Sequence, residues 1–93
     1  MSKLRILMVT SEASPFAKVG GLGEAVSYLS RALRKQGHDV RIVLPYYGAV
    51  RSMKEALQKH PAPLGVPLGN KEYWTGIYEG RLPGTDIPVY CID

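Results

Sequence analysis

Sulfhydryl chemistry is nearly missing from this 93-residue chain: its one cysteine, Cys91, has no partner for an internal disulfide, and nothing in the cysteine usage points to secretion. No apolar run approaches the roughly 20 residues that a membrane-spanning helix needs. The first such run, Leu4 to Val9, is followed by no small-residue cleavage site, so neither a membrane span nor a signal peptide is expected, and a cytoplasmic location is the default. Charge of one sign never clusters. The 12 basic and 8 acidic side chains leave a net charge of +4, but no block of five like charges occurs, and no recognition module with interleaved aromatics accompanies them. Nucleic acid is therefore not an expected partner. Histidine is scarce, and His60, in a proline-rich stretch, has no ligand-spaced neighbour, so no metal site is expected. No internal repeat or low-complexity segment is present. With 45% hydrophobic and 22% charged residues, what remains is an ordinary globular composition, long enough for one small domain with a modest core.

Leu4 to Thr10 is β-prone and nearly continuously apolar, which predicts a strand covered on both faces in a parallel sheet. Pro15 and small polar residues then turn the chain. From Leu22 onward Ala25, Val26, Leu29, Ala32 and Leu33 recur at steps of three and four, with Ser27, Ser30, Arg31, Arg34 and Lys35 elsewhere, predicting an amphipathic helix. Arg34 and Lys35 complement its carboxyl end, and Gly37 predicts a left-handed cap. Val40 to Leu44 predicts a second strand, completing a βαβ unit whose ligand crevice lies beyond the carboxyl ends of the strands. Farther on, Val50 to Lys59 predicts a short helix with Met53, Ala56 and Leu57 inward, and His60 to Asn70, with three prolines, reads as a loop. Tyr73 to Leu82 and Ile87 to Ile92 predict a hairpin around Pro83 to Asp86. One convincing helix is too little to cover a doubly wound sheet, so uncovered strand surface is expected, from a larger domain or from a chain that associates through it.

The chemistry concentrates in Lys18-Val19-Gly20-Gly21-Leu22-Gly23-Glu24, between the first strand and the helix. Glycines let backbone approach a ligand closely, a helix start presents free N–H groups to phosphate, and Lys18 adds a flexible cation. The spacing is neither a dinucleotide fingerprint, which needs a third glycine where Val26 stands, nor a Walker A loop. On spacing alone a phosphate site and a mere tight turn stand level. Glu12, in the turn after the first strand, either orients a substrate hydroxyl or organises the turn.

The wording of the segment is more specific. Thr10-Ser11-Glu12-Ala13, Pro15-Phe16-Ala17-Lys18, Gly20-Gly21-Leu22-Gly23, Gly37-His38-Asp39-Val40 and Leu44-Pro45 with Tyr47 closely resemble the amino terminus of bacterial glycogen synthases and plant starch synthases, glycosyltransferase family 5. Tyr73, Gly76-Ile77-Tyr78-Glu79-Gly80 and Ile87-Pro88-Val89-Tyr90 extend the resemblance over most of the chain. It implies an α/β fold, an incomplete Rossmann-like domain opening the amino-terminal half of a two-domain GT-B enzyme, with residues 1–93 a partial amino-terminal domain and the second, nucleotide-binding domain absent.

The implied activity is retaining transfer of glucose from ADP-glucose to the non-reducing end of an α-1,4-glucan, without metal or cofactor. Lys18, Gly20 and Gly21 match the positions that meet the donor's phosphates, and Glu12 and Glu24 are candidates for orienting the donor or the loop. Glu24 stands where many members have aspartate, and Val19 replaces the commoner threonine. No catalytic histidine or carboxylate of the family falls within these residues, so the chain alone is expected to be inactive. The alternatives are part of another GT-B glycosyltransferase, or a small phosphate- or glucan-binding module.

Outside the loop, His38 is expected to serve the helix end and Cys91 to be a small buried hydrophobe. Tyr46, Tyr47, Tyr73, Trp74 and Tyr78 are expected mainly to pack, with sugar stacking the minor reading.

Overall fold

A computed structural model describes residues 2–16, 21–46, 57–59, 61 and 63–93. Strand β1 (Arg5–Val9) leads through a loop to helix α1 (Gly21–Lys35), which returns to β2 (Asp39–Pro45). There follow β3 (Gln58–Lys59), β4 (Leu64–Leu68), β5 (Lys71–Thr75), β6 (Ile77–Arg81) and β7 (Pro88–Ile92). Five of the strands form a sheet in the order β1-β2-β7-β6-β3. β1 runs parallel to β2 with Arg5 opposite Asp39 and Val9 opposite Val43, and β2 runs parallel to β7 with Ile42 opposite Val89. The βαβ unit expected from the sequence is therefore present, with β7 as the third parallel strand.

Alternation decides which face is the core. Val40, Ile42 and Leu44 of β2 and Val89 and Cys91 of β7 are buried, and Phe16, Ala13, Leu82 and Ile87 pack with them beneath α1. Each fully buried aliphatic side chain of this kind contributes about 1.5–3 kcal/mol. On the opposite face Leu7 of β1 is 58% exposed and Val9 76%. The expectation that β1 is covered on both faces is thus corrected: it is an edge strand with a single covered face, because α1 is the one helix among the described residues and packs on one side.

The face that α1 buries also differs from the apolar spacing. Gly23, Val26, Ser27 and Ser30 are buried and Leu33 is half-buried, whereas Leu22, Ala25, Leu29 and Ala32 face outward. Small side chains let the helix lie close to the sheet, and the Ser27 hydroxyl donates to the Ser14 carbonyl at 2.7 Å, so burying it leaves no polar group unmatched. The carboxyl end is as expected. Gly37 has φ +94°, its N–H donates to Arg34 O at 3.0 Å and the His38 N–H to Leu33 O at 3.3 Å, the paired bonds of a Schellman cap.

His38 acts differently from the expected helix-end role. Its Nδ1 accepts the Leu4 N–H at 3.0 Å, which fastens the entry to β1 and requires that nitrogen to carry no proton.

In the second half of the chain the hairpin of β6 and β7 is present, turned by Pro83 and Gly84 (φ +75°) with Thr85 N donating to Leu82 O at 3.0 Å. The long strand expected over Tyr73 to Leu82 is broken at Gly76, and its first part joins β4 in a separate two-stranded hairpin. That hairpin overturns the reading of His60 to Asn70 as a loop. Gly69, at φ +63°, and Asn70 form a two-residue turn whose only left-handed position is the first, the pattern of a II′ hairpin, and Pro67 is tolerated because a two-stranded ladder has only edges. Of the short helix expected over Val50 to Lys59, residues 50–56 lie outside the described residues. Its last two residues are strand β3, and Leu57 is buried as expected.

Candidate functional site

Because α1 returns to the amino end of β2, its own amino end stands at the carboxyl ends of the parallel strands, the side where open α/β sheets hold ligands. A largely apolar crevice of about 470 Å³ opens there, lined by Val9, Thr10, Ser11, Val43, Leu44, Pro45 and Ile92. Its first wall is the segment after β1. The Thr10 hydroxyl donates to Glu12 O at 2.8 Å and accepts the Glu12 N–H at 3.2 Å, while Thr10 N donates to Val43 O at 3.0 Å. Ala13 and Phe16 anchor the same segment in the core, and Ser14 N donates to Gly23 O at 3.0 Å. With the Ser27–Ser14 bond, this ties the turn to the first turns of α1.

Of the residues singled out by sequence, Lys18 and Gly20 lie outside the described residues. Gly21 is the first residue of α1 and exposed, and a Cβ added there would meet nothing within 4 Å. Its backbone thus lies open at the positive end of the helix dipole. Glu24 is exposed in the first turn of α1, and Glu12 is half-buried in the turn after β1. Gly21 and Glu12 come from two segments joined through Ser14, whereas Glu24 lines a separate hollow with Ser14, Pro15, Ser27, Tyr28, Arg31 and Pro83, so the structure does not bring the three together in the crevice. Among the described residues no group of three metal-ligating side chains occurs.

Tyr46, which follows β2, stacks on Tyr78 of β6 with ring centroids 4.1 Å apart and planes 13° from parallel. These rings pack on each other at the crevice end, a pairing that sequence spacing does not reveal. Tyr73 and Trp74 sit exposed on β5, away from the main sheet. Cys91 is fully buried, and desolvation pushes its thiol pKa up to about 11, so it is inert as a nucleophile near neutrality. Among the described residues no helix is long and apolar enough to cross a membrane.

Residues 5–93 match the family model of the starch synthase catalytic domain. The chain belongs to the starch synthase catalytic domain family. Glycogen synthase 1 of Geobacter metallireducens is 46% identical over 95 residues, which cover 100% of this chain and 19% of that protein. Glycogen synthase of Treponema denticola is 48% identical over 90 residues, 97% of this chain and 18% of the relative. The catalytic domain of starch synthase IV from Arabidopsis thaliana, solved with ADP and acarbose bound, superposes with a TM-score of 0.81 at 31% identity, over 98% of this chain and 18% of that one. The chain thus spans about a fifth of the length of the curated relatives it matches, and its mixed α/β sheet corresponds to part of the starch synthase fold.

Proposed function

We propose that the chain supplies the donor-phosphate wall of a retaining glucosyltransferase that moves glucose from ADP-glucose to the non-reducing end of an α-1,4-glucan. The observation that carries this reading is the opening of α1 at Gly21, exposed at the carboxyl ends of three parallel strands. There, backbone N–H groups and the helix dipole favour the diphosphate, and Lys18 neutralises charge as the bond to the sugar breaks. Gly20 and Gly21 let the phosphates approach the backbone, and Glu12 and Glu24 orient the donor or the turn that carries it. The names of the relatives support the reaction, and the ADP and acarbose held by the Arabidopsis enzyme support a nucleotide sugar and a glucan as substrates.

On this reading residues 1–93 are the start of the amino-terminal domain of a two-domain enzyme, and the groups that complete catalysis belong to the rest of it. It acts in the cytoplasm, and no metal or further cofactor is required. The 93 residues alone transfer no glucose. Left without a cover, the open sheet face also favours self-association of the isolated chain.

The test is transfer of labelled glucose to glycogen by the intact protein, with ADP-glucose and UDP-glucose compared. Lys18→Ala is expected to lower kcat by about 10²–10³, the size of losing one charge-stabilising donor. An unchanged kcat/KM in that variant would remove Lys18 from the donor site, and a preference for UDP-glucose would change the base but keep the site.

A further inference from the structure

At the opposite end of the sheet from the crevice, the last turns of α1 and the β6–β7 turn enclose a groove of about 650 Å³ lined by Arg31, Arg34, Lys35, Arg81, Gly84, Thr85 and Asp86. Four cations face one carboxylate, and that carboxylate is already committed. Arg34 Nε donates to one Asp86 oxygen at 3.0 Å and Arg34 Nη2 to the other at 2.8 Å, while Arg81 Nη1 donates to the Asp86 carbonyl at 3.1 Å. The paired guanidinium holds the Asp86 carboxyl below its usual range. Arg31 and Lys35 make no hydrogen bond or ion pair with the described residues, and the Arg31 guanidinium lies beside Gly84, 3.9 Å from where a Cβ would stand.

The carboxyl end of α1 contributes only about half a negative charge, so the cations dominate the local field. No hydrogen bond or ion pair to a described residue accounts for the placing of the Arg31 and Lys35 heads in this groove. Gly84 is required by the φ of +75° in the β6–β7 turn, and the turn passes beside the Arg31 guanidinium on the groove wall.

We infer that this groove is a second anion site, one that binds the phosphate of a small phosphorylated molecule between α1 and the β6–β7 turn, with Arg31 and Lys35 as its principal ligands. Arg31 offers the planar two-pronged recognition suited to phosphate, and Lys35 a mobile point charge. The Arg34–Asp86 pair lines the same groove and leaves that carboxylate neutralised. The site is independent of the proposed donor crevice, since its residues come from the other ends of the same elements.

The test is calorimetric titration of the intact protein in chloride buffer with inorganic phosphate and, separately, with β-glycerophosphate, each with and without saturating ADP. Binding is expected to persist with ADP present, and Arg31→Gln/Lys35→Gln is expected to weaken it at least tenfold. Neither replaced side chain bonds to a described residue, so circular dichroism of the variant should match the parent. The better of the two probes identifies whether free phosphate or a phosphomonoester is the ligand. Arg31→Lys should retain part of the affinity through charge and lose the part due to the fork. Loss of all phosphate binding when ADP is added, or equal affinity in the double variant, would overturn the second site. Lys18→Ala leaves this binding unchanged, so failure here is separable from failure at the crevice.

Discussion

Two serines three residues apart on α1, about a sixth of a turn from sharing one face, illustrate how little residue type alone decides. Ser27 and Ser30 are both buried, but Ser27 has the Ser14 carbonyl at 2.7 Å, while the Ser30 hydroxyl has no hydrogen-bond partner among the described residues. Leaving the Ser14 carbonyl unmatched costs about 1–3 kcal/mol, whereas removing an orphaned hydroxyl relieves such a cost. Ser27→Ala is expected to lower unfolding stability by about 1–2 kcal/mol and Ser30→Ala to leave it equal or raise it, as read by urea denaturation. Cys91 gives a pH signature at the same scale. Its thiol titrates near 11 when folded, above the ordinary 9.0, so the unfolded chain loses that proton first. The contribution is fully present below about pH 9 and falls away as pH rises toward the native value. Stability should decline across that interval more in the parent than in Cys91→Ala, and reaction with a thiol reagent at pH 8 should follow the unfolding rate.

Elements in this molecule are joined by a few specific contacts. Arg34 of α1 grips Asp86 of the β6–β7 turn, with side chains 41% and 61% exposed, so the pair holds orientation and contributes little stability at physiological salt. Because the Asp86 carboxyl is held down by the Arg34 hydrogen bonds, whatever the pair contributes is present above the ordinary aspartate range and lost as pH falls through the lower native value. Carboxyl carbon NMR should show Asp86 titrating below a free aspartate and moving up toward it in Arg34→Gln. The β4–β5 hairpin is held by the Trp74 indole lying over Gly65, where an added Cβ would come within 2.9 Å of the ring. Gly65→Ala is expected to displace the indole outward, changing the fluorescence of the sole tryptophan while the main sheet keeps its stability to within about 1 kcal/mol.

Among the described residues the main sheet has one dressed face. Leu7 and Val9 stand on the bare face of edge strand β1, and Leu22, Tyr28 and Leu29 remain exposed on α1. Apolar surface on an unpaired edge strand promotes association. Light scattering of the isolated 93 residues is therefore expected to report species above 10.2 kDa, and Leu7→Lys/Val9→Lys to return them toward the monomer. Unchanged scattering in that variant would place the contact elsewhere, on α1. A core of this size supports a total stability of about 5–15 kcal/mol. Ile42→Ala, which costs about 2–5 kcal/mol, would thus remove a large share of it.

Local covalent geometry and periodicity were enough to read β1, α1 with its Gly37 cap, β2 and the Pro83–Gly84 hairpin, because short β-branched apolar runs, a glycine needed at positive φ and a proline in a turn act within a few residues of themselves. The family was legible for a similar reason, since its motifs are short runs of consecutive residues such as Lys18 to Gly23 and Gly37 to Val40. Which side of α1 is buried was not legible. Leu22 and Leu29 satisfy helical periodicity as well as Val26 does, and only the docking of the Ala13–Phe16 segment against Gly23 and Ser27 chose between them. The β4–β5 hairpin was obscured by prolines that a ladder with open edges tolerates. Sequence alone determined the βαβ unit, the Gly37 cap, the Pro83–Gly84 turn and the family. Tertiary structure decided which faces are dressed and which cations gather at the far end of the sheet, because burial and long-range charge are settled by neighbours distant along the chain.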